Sequence, residues 1–242
     1  MKPVVIVTGA SSGIGKSIAL ELASKHASLV INSRSNRTAL EHTASEILAL
    51  GTDCVSLQGD VSDYEFCKIL CQTAILRFGR IDCIINNAGI SHVGLFQDMT
   101  PAQWDRIMKV NFYSAVNMSH AAVPSMLHAH SGHIINISSV WGNVGASCEA
   151  VYSASKGALN SFTKALAKEL APSGIRVNAI ACGAIDTPMN AWMEPEEHEA
   201  LLEEIPAGRM GTADEVAQLV TGLLQSPQYL TGQIITLDGG WQ

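Results

Sequence analysis

The chain has 242 residues, 47% of them apolar and 15% charged, enough for a single domain with a substantial core. Its net charge of -7 comes without a basic stripe, which argues against a nucleic-acid partner. The six cysteines lack the dense spacing of a disulfide framework, and the N-terminal apolar run, residues 4–7, is too short for a signal peptide or a membrane span, so a soluble cytoplasmic protein is expected.

Along the chain, short β-branched runs alternate with longer helical stretches, the pattern of a parallel sheet with crossover helices. Seven strands are predicted, at residues 4–7, 28–31, 53–57, 81–85, 133–137, 176–180 and 233–237. Helix starts are signed by three capping boxes: Ser62 with Glu65, Thr100-Pro101 with Gln103, and Thr212 with Glu215. One long helix runs from Thr100 towards His128 and contains Asn111; a second covers about residues 150–171. Cys67 and Cys71 lie one turn apart without a third ligand, and His128, His130 and His133 cluster at a helix end, where solvated imidazoles are the plain reading; no metal site is expected.

The first strand leads into Thr8-Gly9-Ala10-Ser11-Ser12-Gly13-Ile14-Gly15. Glycines there permit a tight turn and close backbone approach, and the helix that follows turns its N-terminus to a pyrophosphate. The second strand ends at Asn32-Ser33-Arg34-Ser35, where the adenosine ribose of a dinucleotide would lie. A carboxylate here would bind the ribose hydroxyls and repel a 2′-phosphate. Ser33 is neutral instead and Arg34 brings a cation, which favours NADP(H) over NAD(H), although Arg34 also reads as an ordinary solvated loop residue. Asp60 and Val61 follow the third strand, with the carboxylate able to sit beside the adenine amine. Asn86-Asn87-Ala88-Gly89 follows the fourth, and its small residues would let the backbone approach the cofactor ribose.

Tyr152 and Lys156 are four residues apart, on one face of a helix. A phenol beside an ammonium can move a proton while a nicotinamide moves a hydride. Taken with the glycine turn, Asn86-Asn87-Ala88-Gly89, Asn111 and Ser139, this pair resembles the short-chain dehydrogenase/reductase family in its compact single-domain form, over residues 4–241. The ending, Tyr229-Leu230-Thr231-Gly232-Gln233 through Asp238-Gly239-Gly240, looks like the 3-oxoacyl-[acyl-carrier-protein] reductase branch, a label shared by reductases of other ketones.

The resemblance implies a Rossmann-type, doubly wound seven-stranded parallel sheet in an α/β fold. It also implies a homotetramer or homodimer built partly on the two long helices, and a mobile lid after the sixth strand. It selects Ser139 over Ser138, because the family's serine precedes the tyrosine by about thirteen positions. Gly9, Ser11, Ser12, Gly13, Ile14, Gly15, Asn87, Ala88 and Gly89 would hold the cofactor with Ser33, Arg34, Asp60 and Val61. The Ile185 backbone and the Thr187 hydroxyl would hold the nicotinamide carboxamide, and Asn111 a water linking Lys156 to solvent. One departure is visible: relatives usually have Pro-Gly after the sixth strand, and this chain has Cys182-Gly183. That removes a fixed φ and leaves the pocket wall open to a different shape.

In the reaction so implied, Tyr152 is the general acid and Ser139 holds the substrate oxygen. An unperturbed tyrosine titrates about three units too high to act as a base at neutral pH, a gap worth about 4 kcal/mol. A Lys156 ammonium at about 5 Å would supply roughly 3 kcal/mol of it at an effective dielectric of about 20. Lys156 would also bind the nicotinamide ribose. The substrate pocket is expected from Trp141, Val144, Cys182, Ala184, Met189, Trp192 and Met193. Residues 194–204 are rich in glutamate; as a lid face they are simply solvated, but facing the entrance they would disfavour anionic thioesters and leave a small or hydrophobic ketone as substrate. A dinucleotide sensor without chemistry would have no need of Tyr152 and Lys156, and a methyltransferase would leave Ser139, Tyr152 and Lys156 unexplained.

Overall fold

The computed structural model describes residues 2–191 and 193–242. The strands are β1 (Val4–Val7), β2 (Ser28–Ser33), β3 (Cys54–Gln58), β4 (Cys83–Asn86), β5 (Gly132–Ser139), β6 (Ile175–Cys182), the short β7 (Ile185–Asp186) and β8 (Gly211–Thr212), and β9 (Ile234–Leu237). Seven of them form one sheet in the order β3-β2-β1-β4-β5-β6-β9, parallel throughout. These seven match the strands read from the sequence. β7 and β8, which pair only with each other, were not predicted, because two residues carry no periodicity.

The helices are α1 (Gly13–Ser24), α2 (Arg37–Ala49), α3 (Tyr64–Phe78), α4 (Pro101–Met108), α5 (Ser114–Ala129), the single turn α6 (Trp141–Val144), α7 (Ala150–Leu170), α8 (Pro195–Glu204) and α9 (Ala213–Gln225). Residue alternation along the central strands divides the core into two layers. Val5, Val7, Leu29, Ile31 and Ile85 face α1, α2 and α9, whereas Val4, Ile6, Val30, Ile84 and Ile134 face α3, α5 and α7. Fully burying each such side chain stabilises the fold by about 1.5–3 kcal/mol. Strand order reverses between β1 and β4, so their C-terminal ends part and open a crevice.

Three local readings change. The cap of α3 is Asp63, which accepts from the Glu65 amide (2.9 Å). Ser62 instead gives its amide (2.9 Å) and hydroxyl (2.7 Å) to Asp60. The long helix around Asn111 is not uniform: a π turn, Lys109–Tyr113, joins α4 to α5 and carries Asn111. His130 caps α5 in the left-handed conformation (φ 47°), but His133 is not a solvated helix-end residue. It is the second residue of β5 and is buried. The boxes at Thr100 and Thr212 are present. Among the described residues, no helix is long and apolar enough to cross a membrane.

Candidate active site

The C-terminal ends of the strands converge on one cleft of about 1120 Å³. At its deep end Gly9 (φ 68°) and Gly13 (φ 53°) take conformations open to glycine. A Cβ on Gly15 would collide with the Gly9 carbonyl oxygen and the Asn87 amide, so α1 starts flush against the β4 end. Asn87 clamps this turn by donating to the carbonyls of Thr8 (2.9 Å) and Gly9 (3.1 Å). The Thr8 hydroxyl accepts from the amides of Asn87 (3.0 Å) and Ala88 (3.1 Å). Thr8 is a positioning residue that motif reading passed over. Ser12 precedes α1 without capping it by its side chain, and no acid occupies the first turn. The amides at this end and the bare glycine cradle fit a pyrophosphate.

At the end of β2, Ser33 is buried and its hydroxyl donates to Ser11 Oγ (3.0 Å). Arg34 is exposed on the cleft wall, and among the described residues its guanidinium has no hydrogen bond or ion pair. Asp60 is less free than the sequence suggested. One carboxylate oxygen takes both bonds from Ser62, and the other takes Arg106 Nη2 at 2.9 Å. Burial would raise this carboxyl, but the Ser62 bonds and the Arg106 guanidinium outweigh it and hold it low. Arg106, from α4, also lines the cleft and was not foreseen.

The middle of the cleft brings Ser139, Tyr152 and Lys156 together. Successive strand residues point to opposite sides. Accordingly Ser138 gives its hydroxyl to Asn160 Oδ1 (2.6 Å), whereas Ser139 Oγ accepts from the Trp141 amide (3.2 Å) and is bonded to the Tyr152 side chain. Lys156 is buried; its Nζ donates to the Ile137 carbonyl (2.8 Å) and lies 5.7 Å from the Tyr152 ring centre. Burial pushes the Tyr152 phenol well above the ordinary tyrosine range, with Ser139 pulling against it and Glu149 adding to it. Burial also pulls Lys156 down to about 8. Burial thus penalises phenolate and ammonium alike, and it is the largest influence on each. Asn111 stands behind the cleft rather than in its wall. Its Oδ1 accepts from the Ile90 amide (2.8 Å), and its Nδ2 donates to the Ile90 carbonyl (2.9 Å) and Ser155 Oγ (3.1 Å).

Cys182, Ala184, Ile185, Thr187, Met189 and Met193 line the cleft with Trp141 and Val144; Trp192 lies outside the described residues. At the missing proline the wall is continuous with the sheet. Cys182 is the last residue of β6, paired between Ser139 and Leu237. Burial pushes its thiol up to about 12, a protonated and unreactive group. Thr187 lies over the glycine turn, its Cβ 3.4 Å from where a Gly13 Cβ would be. The Ile185 carbonyl is taken by Asn190 Nδ2 (2.8 Å).

The outer end contains residues the motifs do not mark. Glu197, Leu201 and Glu204 present one face of α8 to the cleft, and Trp241 and Gln242 return from the C-terminus to complete it. Trp241 meets Trp141 edge-on, with ring centres 4.8 Å apart, and its indole N–H donates to Glu204 (3.3 Å). Two residues 100 positions apart in sequence cannot be paired by spacing. The i, i+4, i+7 pattern of Glu197, Leu201 and Glu204 was the one available signal for this face.

Comparison with known proteins agrees with this geometry. The short chain dehydrogenase family model matches residues 3–198. The uncharacterized oxidoreductase YmfI of Bacillus subtilis is 40% identical, over 100% of this chain and 99% of its own. The 3-oxoacyl-[acyl-carrier-protein] reductase FabG of Staphylococcus aureus is 38% identical, over 97% and 96%. A crystal structure from Sinorhizobium meliloti 1021, assigned to the short-chain alcohol dehydrogenases, superposes with a TM-score of 0.94 at 35% identity, covering 100% of this chain and 97% of that one.

Proposed function

Since the chain belongs to the short-chain dehydrogenase family of oxidoreductases, we propose that it is an NADPH-dependent enzyme interconverting a ketone and a secondary alcohol, with Tyr152 as the proton donor. The observation that carries this reading is the Ser139–Tyr152–Lys156 cluster in the same cleft as the glycine cradle. When bound, the nicotinamide supplies a hydride to the carbonyl carbon. Tyr152 gives its proton to the carbonyl oxygen, and burial keeps the phenol in the protonated form that reduction requires. Ser139 Oγ already accepts from the Trp141 amide, which leaves its hydroxyl hydrogen free to turn from Tyr152 to the substrate oxygen. Lys156 has two ammonium hydrogens beyond its bond to Ile137, enough to hold the nicotinamide ribose and to return a proton to Tyr152. Asn111 holds the segment at Ile90 beside this ammonium, and its second Oδ1 lone pair is the place for a relaying water.

Preference for NADPH is supported by the neutral Ser11–Ser33 pair and the unpartnered Arg34 guanidinium beside it. Glu149, Glu197 and Glu204 in the cleft favour a non-thioester ketone over an anionic thioester. Resemblance to the staphylococcal 3-oxoacyl-[acyl-carrier-protein] reductase favours the thioester as the second reading. Assembly as a homotetramer or homodimer is supported by the exposed Trp104, Tyr113 and Leu127 along α4, the π turn and α5; the solution mass tests it.

The decisive experiment follows NADPH oxidation against acyl thioesters, steroids and small diketones. Wild-type protein is expected to turn over at least one class, and Tyr152→Phe to lose about 100-fold or more in kcat while binding NADPH within a few-fold of wild type. Retained turnover in Tyr152→Phe removes Tyr152 from the acid role. NADPH binding with no turnover across the panel supports a sensor instead.

A further inference from the structure

Glu149 has no structural occupation that accounts for a carboxylate at its position. It stands immediately before α7, yet its side chain makes no capping bond to the helix amides. Among the described residues it forms no ion pair. Its one side-chain partner is the Trp141 side chain, a neutral donor. The residue is half-buried in the cleft wall, three positions before Tyr152 and so a little under one helical turn away. A partly desolvated carboxylate with one neutral partner costs stability unless a cation completes it.

The surroundings specify that cation. Trp141, the neighbour of Glu149, meets Trp241 edge-on at 4.8 Å, and the Trp241 indole N–H is occupied by Glu204. The edge-on meeting spends one ring face on the other ring's edge, and the indole face left over is the aromatic surface best suited to an ammonium. Among the described residues no lysine or arginine balances this end: the cations lining the cleft are Arg34 and Arg106 at the dinucleotide end, and Lys156 beneath Tyr152. The ligand that suits a carboxylate flanked by two indoles is an organic ammonium.

We propose that Glu149, with Trp141 and Trp241, is a specificity determinant that selects ketones carrying a protonated amine. The amine would sit a short alkyl chain from the carbonyl, because Glu149 and Tyr152 are three residues apart at the start of α7 and line the same cleft. This rests on the ketone-reductase reading and deepens it.

The test compares three aliphatic ketones of matched length, one ending in a primary amine, one in a methyl group and one in a carboxylate, by NADPH-dependent kcat/KM. The amino ketone is expected to exceed the methyl isostere by roughly tenfold and the keto acid by more. Glu149→Gln should bring the amine-to-methyl ratio close to one, and Trp241→Leu, which leaves the carboxylate in place, should reduce it by several-fold. Turnover of the methyl ketone with no preference for the amine, or a preference that survives Glu149→Gln, overturns the assignment and leaves the reductase reading standing. No NADPH consumption with any ketone overturns both.

Discussion

Arg34 and Ser33 stand where, on the proposed reading, one or two side chains would set a cofactor preference that the fold leaves open. The buried Ser33 hydroxyl and the exposed Arg34 cation stand at the cleft end nearest β2, with no carboxylate between them. Losing a charge-assisted bond costs about 1.5–3 kcal/mol. Arg34→Ala is therefore expected to lower kcat/KM for NADPH by roughly 10- to 100-fold with little change for NADH. Ser33→Asp should turn the ratio of the two towards NADH. A ratio unmoved by both substitutions would mean that the 2′-phosphate is not read here. Legibility differs among these residues: the absent acid after β2 can be read directly, whereas the Asp60 carboxylate looks available until Arg106 is found beside it.

Among the elements, the contact between α6 and α7 matters most for the site. α6 is a single turn, yet it carries Trp141 into the cleft and rests on Lys156. A Cβ at Gly142 would lie 2.7 Å from the Lys156 carbonyl carbon. Asn143 Oδ1 accepts from Asn160 Nδ2 (2.9 Å), which fixes the crossing. Gly142→Ala is expected to push the two helices apart, costing about 1–3 kcal/mol of stability and displacing Trp141 and Lys156 together. A lowered thermal midpoint with a fall in kcat is the predicted result; a variant unchanged in both would show that the contact is dispensable. The π turn that carries Asn111 is a device of the same kind. One extra residue in the turn redirects a side chain, and nothing in the amphipathic period of residues 100–128 announces it.

For the molecule as a whole, the far side of the sheet carries a cost linked to pH. His133 Nε2 accepts from Asn178 Nδ2 (3.1 Å), whose orientation is set because Asn178 Oδ1 accepts from the Gln233 amide (3.0 Å). The proton is thus on His133 Nδ1, a buried atom with no hydrogen-bond partner among the described residues. Burial first, and then the nearby Arg176, pull this imidazole down from 6.5 to about 3. Between those values the unfolded chain binds more protons than the folded one, so stability falls as pH drops below 6.5 and continues to fall towards 3. From pH 6.5 to pH 5 the loss is about 2 kcal/mol. His133→Gln, which keeps an acceptor for Asn178, should lose about 2 kcal/mol less than wild type over that interval in denaturant unfolding. Parallel declines would mean that His133 is not the sensitive group.

The alternation of strands and helices, the glycine turn and the Tyr152–Lys156 spacing were legible one residue after another, because backbone sterics and helical periodicity act over a few positions. Those local rules were enough for the seven strands and for the resemblance to the family, which in turn implied the doubly wound sheet. Contacts between distant segments were beyond them. Arg106 reaches Asp60, Trp241 returns to Trp141, His133 is buried beside Asn178, and Glu149 is left in the cleft wall without a cap to make or a cation to meet. Burial and proximity are properties of the closed chain, and they set the protonation of Tyr152 and Lys156 and the charge of the substrate end.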